Sequence, residues 1–481
     1  MVGVMVLADA VGTAGGAPAV GAVPAAAWTI GPMAVVAVVT HLFVLWCGRR
    51  LDESGLSVYI DRAERAVHLS RLVYALLHAW GVLALGWVGA VRSVTGDLPA
   101  VDEVVALIPA VCGFACGWAS YYGIDRRIRE ASLMGVLDGA APVLTLPGRW
   151  EFVLDQVRHN VLIVLLPMAL ITLWSEGSAM LADWWLNGRE DLLRDPDVAW
   201  GVAWGFGLLQ FGGVLIVLLL MPLGLRYVWS TSRLGPGAVR DRLAGLCERQ
   251  RVRCREFLVW HTHTGMVNGA LVGVLPRLRY ILLTDALLER LSEPQVEAVM
   301  AHEVGHAARR HIPWMVAATV VSVSLLHALG AWMMTFVGAE WMRLRLADGH
   351  SDGPEFGVAI AGGLLIFGWV SRRFEQQADA FAAQHLSGWS VRRGAPRPAP
   401  LILPEAAGAM SGALSAVARI AHLPEHRFTF RHGSIAARKR NVLALAGIPA
   451  DRVPIDRVVR RIKAAVLLGG AVLVAISMRV P

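Results

Sequence analysis

Two histidines and one glutamate in the second half of the chain have the spacing of a metal-dependent hydrolytic site. The segment is His302-Glu303-Val304-Gly305-His306. On a helix, residues four apart project from one face, so both imidazoles can ligate one tetrahedral zinc ion. The glutamate between them is close enough to act on a water at the open position. A motif with three fixed positions also occurs by chance, so the assignment needs further residues.

A later acidic segment offers a third ligand. Catalytic zinc takes three protein ligands and keeps a fourth position open, and Glu375 in the helical segment 374–380 is the candidate. Asp379 follows one turn later on the same face, where its carboxylate can accept the second ring N–H of a ligating histidine. An exposed acidic helix face is the alternative interpretation of this pair. The five cysteines include no CxxC pair, so a thiolate zinc site is not supported.

The rest of the chain that must position these residues is mostly apolar. Of 481 residues, 56% are hydrophobic and 17% are charged, whereas soluble domains carry about 25% charged residues. An uncharged stretch at 464–478 has only 15 residues, nearer to a buried or interfacial segment than to a span. We therefore predict a polytopic α-helical membrane protein with seven transmembrane helices and an eighth candidate at the C-terminus. The seven predicted spans are 24–48, 72–91, 104–124, 159–175, 198–225, 312–338 and 356–371.

Arginines in the loops predict the orientation. Loops 49–71 and 125–158 hold five arginines each, whereas loop 92–103 holds one and loop 176–197 holds two. Positively charged loops face the cytoplasm, so the predicted location is a multi-pass integral membrane protein with both large polar segments on the cytoplasmic side, in a bacterial inner membrane. Because the arginines lie between apolar runs, the net charge of +8 indicates a bilayer and no nucleic acid as partner.

Five segments follow from this topology. Within the first polar segment, three short apolar runs between 257 and 283 predict a small β-sheet. Ser292 and Gln295 then form a capping box for a helix from about 293 toward 311. The predicted segments are 1–225 with five spans, 226–311 with the sheet and the histidine helix, 312–371 with two spans, 372–463 with the third ligand, and 464–481 as a C-terminal transmembrane or interfacial helix.

These motifs together resemble the M48 family of membrane zinc metallopeptidases, which includes the Ste24-type CAAX prenyl proteases and the bacterial HtpX proteases. The similarity rests on the string 297–306, on Arg310-His311 and on the segment 375–379, and it extends over roughly 250–445. It implies a zincin-type α+β catalytic region in which one Zn²⁺ per chain is bound. The residues it assigns are His302, His306 and Glu375 as zinc ligands, Glu303 as general base and Asp379 as the residue that orients a ligand.

Two shorter matches extend the resemblance. Asn268-Gly269-Ala270 stands where the family has an Asn-Ala pair on the strand that lines the cleft, and such a strand can bind an extended substrate; an Asn-Gly turn is the alternative. His432 and Arg438 keep the spacing of the family's His-Pro…Arg motif, with Gly433 in place of proline. His432 would then stabilise the oxyanion and Arg438 would position substrate or nearby carboxylates. A surface loop with a solvated arginine is the other interpretation.

The resulting expectation is an integral-membrane, zinc-dependent metalloendopeptidase that hydrolyses membrane-associated polypeptides near the cytoplasmic face. Two alternatives remain: an inactive helical scaffold and a transporter in which the histidine motif is incidental. The intact Glu303 disfavours the scaffold, because losing that carboxylate is the simplest route to an inactive metal-binding protein. A transporter would contain repeated halves and paired charges within spans, and the sequence has neither. Five spans before the histidine motif and two after it are more similar to the Ste24 type, whereas the eighth candidate departs from both types.

Overall fold

The chain divides into two compact units, Met1–Trp229 and Ser230–Pro481. The structure is a computed structural model, and it describes residues 21–96, 98, 101–134, 146–262, 267–334, 354–390, 399–420 and 423–477. Every residue assigned above to the metal site lies in the second unit, so that unit alone positions the chemistry.

The described part of the first unit is helical. Helix α1 packs against α2 and α4, and α6 packs against α7. Gly86 has a φ of +66°, a left-handed conformation that favours glycine, and it separates α2 from α3. The helices are α1 (Ala22–Ser54), α2 (Val58–Leu85), α3 (Trp87–Thr95), α4 (Val101–Met134), α5 (Arg149–Val157), α6 (Ile163–Leu186) and α7 (Pro196–Val228), with a π turn between α5 and α6 at Arg158–Leu162.

The second unit contains four strands and eight helices among its described residues. In chain order they are β1 (Thr231–Arg233), α8 (Ala238–Arg249), β2 (Glu256–Trp260), β3 (Gly269–Val272), β4 (Tyr280–Thr284), α9 (Asp285–Arg290), α10 (Glu293–Ala308), α11 (His311–Met334), α12 (Pro354–Leu386), α13 (Pro404–Ile420), α14 (Ile435–Leu443) and α15 (Pro454–Ser477).

Six helices in the described residues are long and apolar enough to cross a membrane. A seventh span exists if the bent pair Val58–Val82 and Trp87–Thr95, which meets at 72°, crosses as one. The predicted count of seven is therefore the upper of two values. The six are Ala22–Ser54, Val101–Glu130, Arg149–Leu186, Asp197–Val228, His311–Met333 and Gly357–Leu386.

The C-terminal helix α15 is not one of these apolar helices. Its first half carries Arg460, Arg461 and Lys463. The uncharged run between these residues and residue 477 is too short to cross a membrane. Instead, α15 packs against α11 and α12. Val459 and Ile462 are buried there in one apolar cluster with residues of both helices.

A mixed sheet lies beside the histidine helix. Its strand order is β1-β2-β4-β3, in which β2 and β4 are parallel and the two outer pairs are antiparallel. All five residues of the central strand β4 are buried, which explains its continuous apolar sequence. The predicted sheet is present at all three apolar runs. The three-residue strand β1 was not predicted, because so short a segment has no readable periodicity.

Helix α10 begins as its capping sequence predicts and ends earlier than expected. The Ser292 N–H donates to Gln295 Oε1 at 3.1 Å, closing a capping box, with proline in the first turn. The helix was predicted to run toward residue 311, but it ends at Ala308. Arg310 has a φ of +57°, so the chain turns there and α11 starts as a separate helix at His311.

Helices α10 and α12 approach closely at one glycine. A Cβ atom on Gly305 would lie 3.0 Å from Cδ1 and 3.2 Å from Cβ of Phe381, which is tighter than ordinary packing. The surrounding residues Ala301, Val304 and Ala382 are fully buried. Small residues on both helices therefore set the distance between the face that carries the histidines and the face that carries Glu375.

We expect Gly305→Leu to force these two helices apart. Inserting a large side chain into a packed interior costs about 1–3 kcal/mol, so thermal unfolding of the detergent-solubilised protein should shift to lower temperature and zinc binding should weaken. Gly408→Leu is the matched control, because Gly408 is exposed on α13 and a Cβ added there would have no atom within 4 Å. Equal behaviour of the two variants would contradict the role of Gly305.

Candidate metal centre

Three side chains from α10 and α12 converge as a ligand set. His302 Nε2 lies 3.2 Å from His306 Nε2. Glu375 Oε2 lies 3.5 Å from the first of these nitrogens, and Glu375 Oε1 lies 3.6 Å from the second. In a tetrahedral site with bonds of about 2.1 Å, ligand atoms are about 3.4 Å apart. The three side chains therefore have a spacing that suits a zinc ion, and this is the one metal-compatible cluster of His, Cys, Asp and Glu in the described residues.

The donor set matches a catalytic rather than a closed structural site. Two imidazoles and one carboxylate leave one tetrahedral position open, as in known hydrolytic zinc sites. His302 and Glu375 are buried, with 7% and 6% of their surfaces exposed. The open side faces a cavity of about 470 Å³ whose lining includes Glu303, Asn268, Met410 and Arg431. A substrate can therefore reach the fourth position from this cavity.

A buried arginine balances the carboxylates behind the ligands. Asp379 Oδ1 lies 2.8 Å from His302 Nδ1. Arg438 on α14 donates to both oxygens of Asp379, at 2.9 and 2.6 Å, and approaches Glu375 at 3.3 Å. Burial opposes the charge of Arg438, but the carboxylate of Asp379 beside it raises its pKa. Arg438 therefore contacts the neighbouring carboxylates. This is one of the two roles that the sequence suggested for it.

His432 lies at the mouth of the cavity. Its Nδ1 is 3.1 Å from Glu375 Oε2, and its side chain is half exposed. The preceding turn is closed by backbone hydrogen bonds in both directions between Thr429 and Gly433. Gly433 has a φ of +76°, which proline cannot adopt. The replacement of the family's proline by glycine is thus what this tight turn requires.

Glu303 faces the same cavity and touches strand β3. The Leu271 N–H donates to Glu303 Oε2 at 3.3 Å. Burial raises the pKa of the Glu303 carboxyl to about 7 although the neighbouring His302 lowers it. A carboxyl group with a pKa near the working pH can both accept and return a proton.

Strand β3, which the sequence predicts to bind substrate, lies along this cavity. Asn268 O accepts from Thr284 N of β4 at 3.0 Å. Because backbone groups alternate in direction along an antiparallel strand, those of Gly269 and Leu271 turn away from β4, and no strand pairs with that edge in the described residues. A Cβ on Gly269 would lie 3.1 Å from Cγ1 of Val299. Glycine therefore lets β3 lie directly on α10, as a strand residue rather than as part of a turn.

Sequence reasoning gave no role to His311, which the structure brings to the site. Its Nδ1 lies 2.9 Å from Nδ1 of His306, and its ring is fully buried. Five residues along a continuous helix would place the two side chains on different faces. The turn at Arg310 instead brings the two side chains together, and no sequence spacing predicts that turn.

The match to protein families agrees with this geometry. Residues 257–394 match the model of peptidase family M48, and they contain all three metal-compatible side chains. Over these residues the chain is similar to peptidase family M48. The predicted resemblance is thereby confirmed, and M48 members are metallopeptidases.

Individual relatives match part of the chain. The chain is 24% identical over 198 residues to a homologue of protease HtpX from Polaromonas naphthalenivorans, a match covering 37% of this chain and 66% of the relative. It is 30% identical over 141 residues to protease HtpX from Stutzerimonas stutzeri, covering 27% of this chain and 42% of the relative. The matched parts thus span less than two thirds of these relatives.

Among solved structures, the crystal structure of S. mikatae Ste24p aligns with this chain over most of the length of both. It covers 88% of this chain and 99% of that chain, at 14% sequence identity and a TM-score of 0.35. A superposition this loose does not establish a shared overall fold.

We expect one zinc ion per chain in the purified wild-type protein and a strong loss of zinc in His306→Ala, because the variant retains only two ligands. Metal analysis of the detergent-purified protein measures this directly. His426→Ala serves as control, since His426 is exposed on a loop and outside the cluster. Full zinc content in His306→Ala would remove His306 from the ligand set.

Proposed function

We propose that this protein is an integral-membrane, zinc-dependent metalloendopeptidase that cleaves membrane-associated polypeptides near the cytoplasmic face. The observation that carries the proposal is the convergence of His302, His306 and Glu375, at zinc-compatible distances, beside Glu303 in a segment of peptidase family M48. We infer one Zn²⁺ per chain. The intact Glu303 and the open cavity favour an enzyme over the scaffold, and the family match favours it over the transporter.

The proposed chemistry assigns one proton carrier. When bound, zinc would supply Lewis acidity, which makes water acidic near neutral pH and polarises the scissile carbonyl. Glu303 takes the proton of the attacking water and passes it to the leaving amine, a role supported by its position in the cavity and its near-neutral pKa. His432 at the cavity mouth donates to the carbonyl oxygen as negative charge develops there. Arg438 keeps Asp379 and Glu375 charged and in place.

The substrate class follows from the edge of β3 and the cavity walls. An extended polypeptide can add to the outward-facing backbone groups of Gly269 and to the carbonyl oxygen of Leu271, whose N–H donates to Glu303. Asn268 and Ala270 lie on the same part of the chain. The opposite wall is apolar and includes Met410, Leu414 and Val417 from α13. A main-chain edge with an apolar wall suits a peptide with hydrophobic side chains.

The proposed membrane association rests on two helices, α11, which follows His306, and α12, which carries Glu375. Helix α11 begins five residues after His306, and Glu375 lies on α12 beyond its apolar first half. Both helices are candidate spans. The ligands therefore belong at a membrane surface, and the arginine-rich loops assign that surface to the cytoplasmic side of a bacterial inner membrane.

We expect Glu303→Gln to keep zinc and lose peptidase activity by about 10²- to 10⁴-fold, the typical contribution of general acid–base catalysis. Glutamine preserves the shape but cannot take the proton. The assay compares membrane peptides from cells that express the wild-type or variant protein, read by mass spectrometry, together with metal analysis. Glu248→Gln, an exposed site on α8, is the control. Activity of Glu303→Gln within a fewfold of wild type would rule out this mechanism.

Cysteine labelling tests the orientation. In a background without the five native cysteines, Asp191→Cys should react with an impermeant reagent in intact spheroplasts, and Glu405→Cys only after permeabilisation. Asp191 is strongly exposed in the loop predicted to lie outside, and Glu405 is exposed at the start of α13. The reverse pattern would invert the topology, and labelling of both from outside would contradict the seven-span arrangement.

A further inference from the structure

A chain of hydrogen bonds leads from the metal ligand His306 to the C-terminal helix. His306 Nδ1 lies 2.9 Å from His311 Nδ1, and His311 Nε2 lies 2.9 Å from Gln377 Oε1. Gln377 Nε2 donates in turn to Asp456 Oδ1 at 2.5 Å. His311 and Gln377 are buried, with 0% and 4% of their surfaces exposed. This array joins α10, α11, α12 and α15, and the proposed mechanism does not use its outer members.

The Asp456 carboxylate at the end of this array determines which group donates in each hydrogen bond. Asp456, which Arg309 approaches at 3.5 Å, only accepts when ionised, so the amide nitrogen of Gln377 must face it. The amide oxygen then faces His311 and accepts from His311 Nε2–H. A neutral imidazole with its proton on Nε2 has a lone pair on Nδ1, which accepts from His306 Nδ1–H. His306 consequently presents its lone pair on Nε2, the atom that faces the other two ligands.

Packing holds the array in this geometry. The His311 ring stacks on Phe374 at 4.5 Å between centroids, with 9° between the planes. The left-handed turn at Arg310 directs His311 back toward His306. On the outer side, Lys463 of α15 donates to the carbonyl oxygen of Arg309 at 3.0 Å. The C-terminal helix is thus fastened to the end of α10 as well as to Gln377.

We propose that Asp456, acting through Gln377 and His311, fixes the ring tautomer of His306 and thereby prepares it to bind zinc. All three are positioning residues, since none of them belongs to the metal-compatible cluster and each acts on it through His306. The proposal rests on the zinc site of the proposed function, but it can fail independently. If the wild-type protein binds one zinc and His306→Ala does not, while changes at Asp456 have no effect on affinity, only the present inference is wrong.

The first measurement is zinc affinity by competition with a chelator. Removing a residue that orients a ligating histidine typically weakens metal binding by about 10- to 100-fold, and we expect this for His311→Ala. Asp456→Asn should raise the zinc Kd several-fold, because either end of the Gln377 amide can then face the new side chain and the tautomer is no longer imposed. Asp451→Asn, the same change at an exposed residue before α15, should leave the Kd unchanged.

A double variant separates tautomer control from helix docking. In Gln377→Glu/Asp456→Asn the acceptor-only group moves to position 377, where it still accepts from His311, and the new amide at 456 donates to it. The net charge is unchanged, and the direction of the chain is restored. We expect the zinc Kd to return to within about twofold of wild type. Thermal unfolding of the zinc-free variants monitors the fold. A double variant no tighter than Asp456→Asn, or a single variant with wild-type affinity, would overturn the proposal.

Discussion

The distance between α10 and α12 is the constraint on which the metal centre depends. Two candidate ligands lie on one helix and the third lies on the other, so an error of about one ångström in their separation would disturb the geometry that a metal ion needs. Gly305 against Phe381 sets that separation by allowing the backbones to approach. The same small-residue interface places Glu375 and Asp379 on the side that faces His302. Packing and chemistry thus share one interface.

Placing two carboxylates and two imidazoles in a protein interior requires compensation, and Arg438 supplies it. Unpaired buried charges are costly, whereas a guanidinium that binds a carboxylate with two parallel hydrogen bonds offsets that cost and fixes direction. The pair formed by Arg438 and Asp379 therefore keeps the negative charge at Glu375 tolerable before any cation is present. The site is preorganised by a residue located on α14, 59 positions after its partner.

Helical periodicity was sufficient to predict the groups that lie on one continuous helix. His302 and His306 are four apart, as are Glu375 and Asp379, and both pairs share a face in the structure. What periodicity could not supply were contacts that depend on a break or on tertiary packing. The turn at Arg310 changes the direction of His311, and no local pattern identifies a left-handed arginine. For α15 the sequence reveals only a short uncharged run after a charged one, so its packing against the metal region could not be foreseen.

The order of the chain has a consequence for biosynthesis. The three metal-compatible side chains have all been synthesised once residue 375 is made, but Arg438 and Asp456 follow 63 and 81 positions later. Until α14 and α15 emerge from the ribosome, the ligand cluster lacks both its balancing cation and the carboxylate at the end of its hydrogen-bond chain. In the nascent chain, the hydrogen bonds that surround this cluster therefore become complete only after residue 456 has been made.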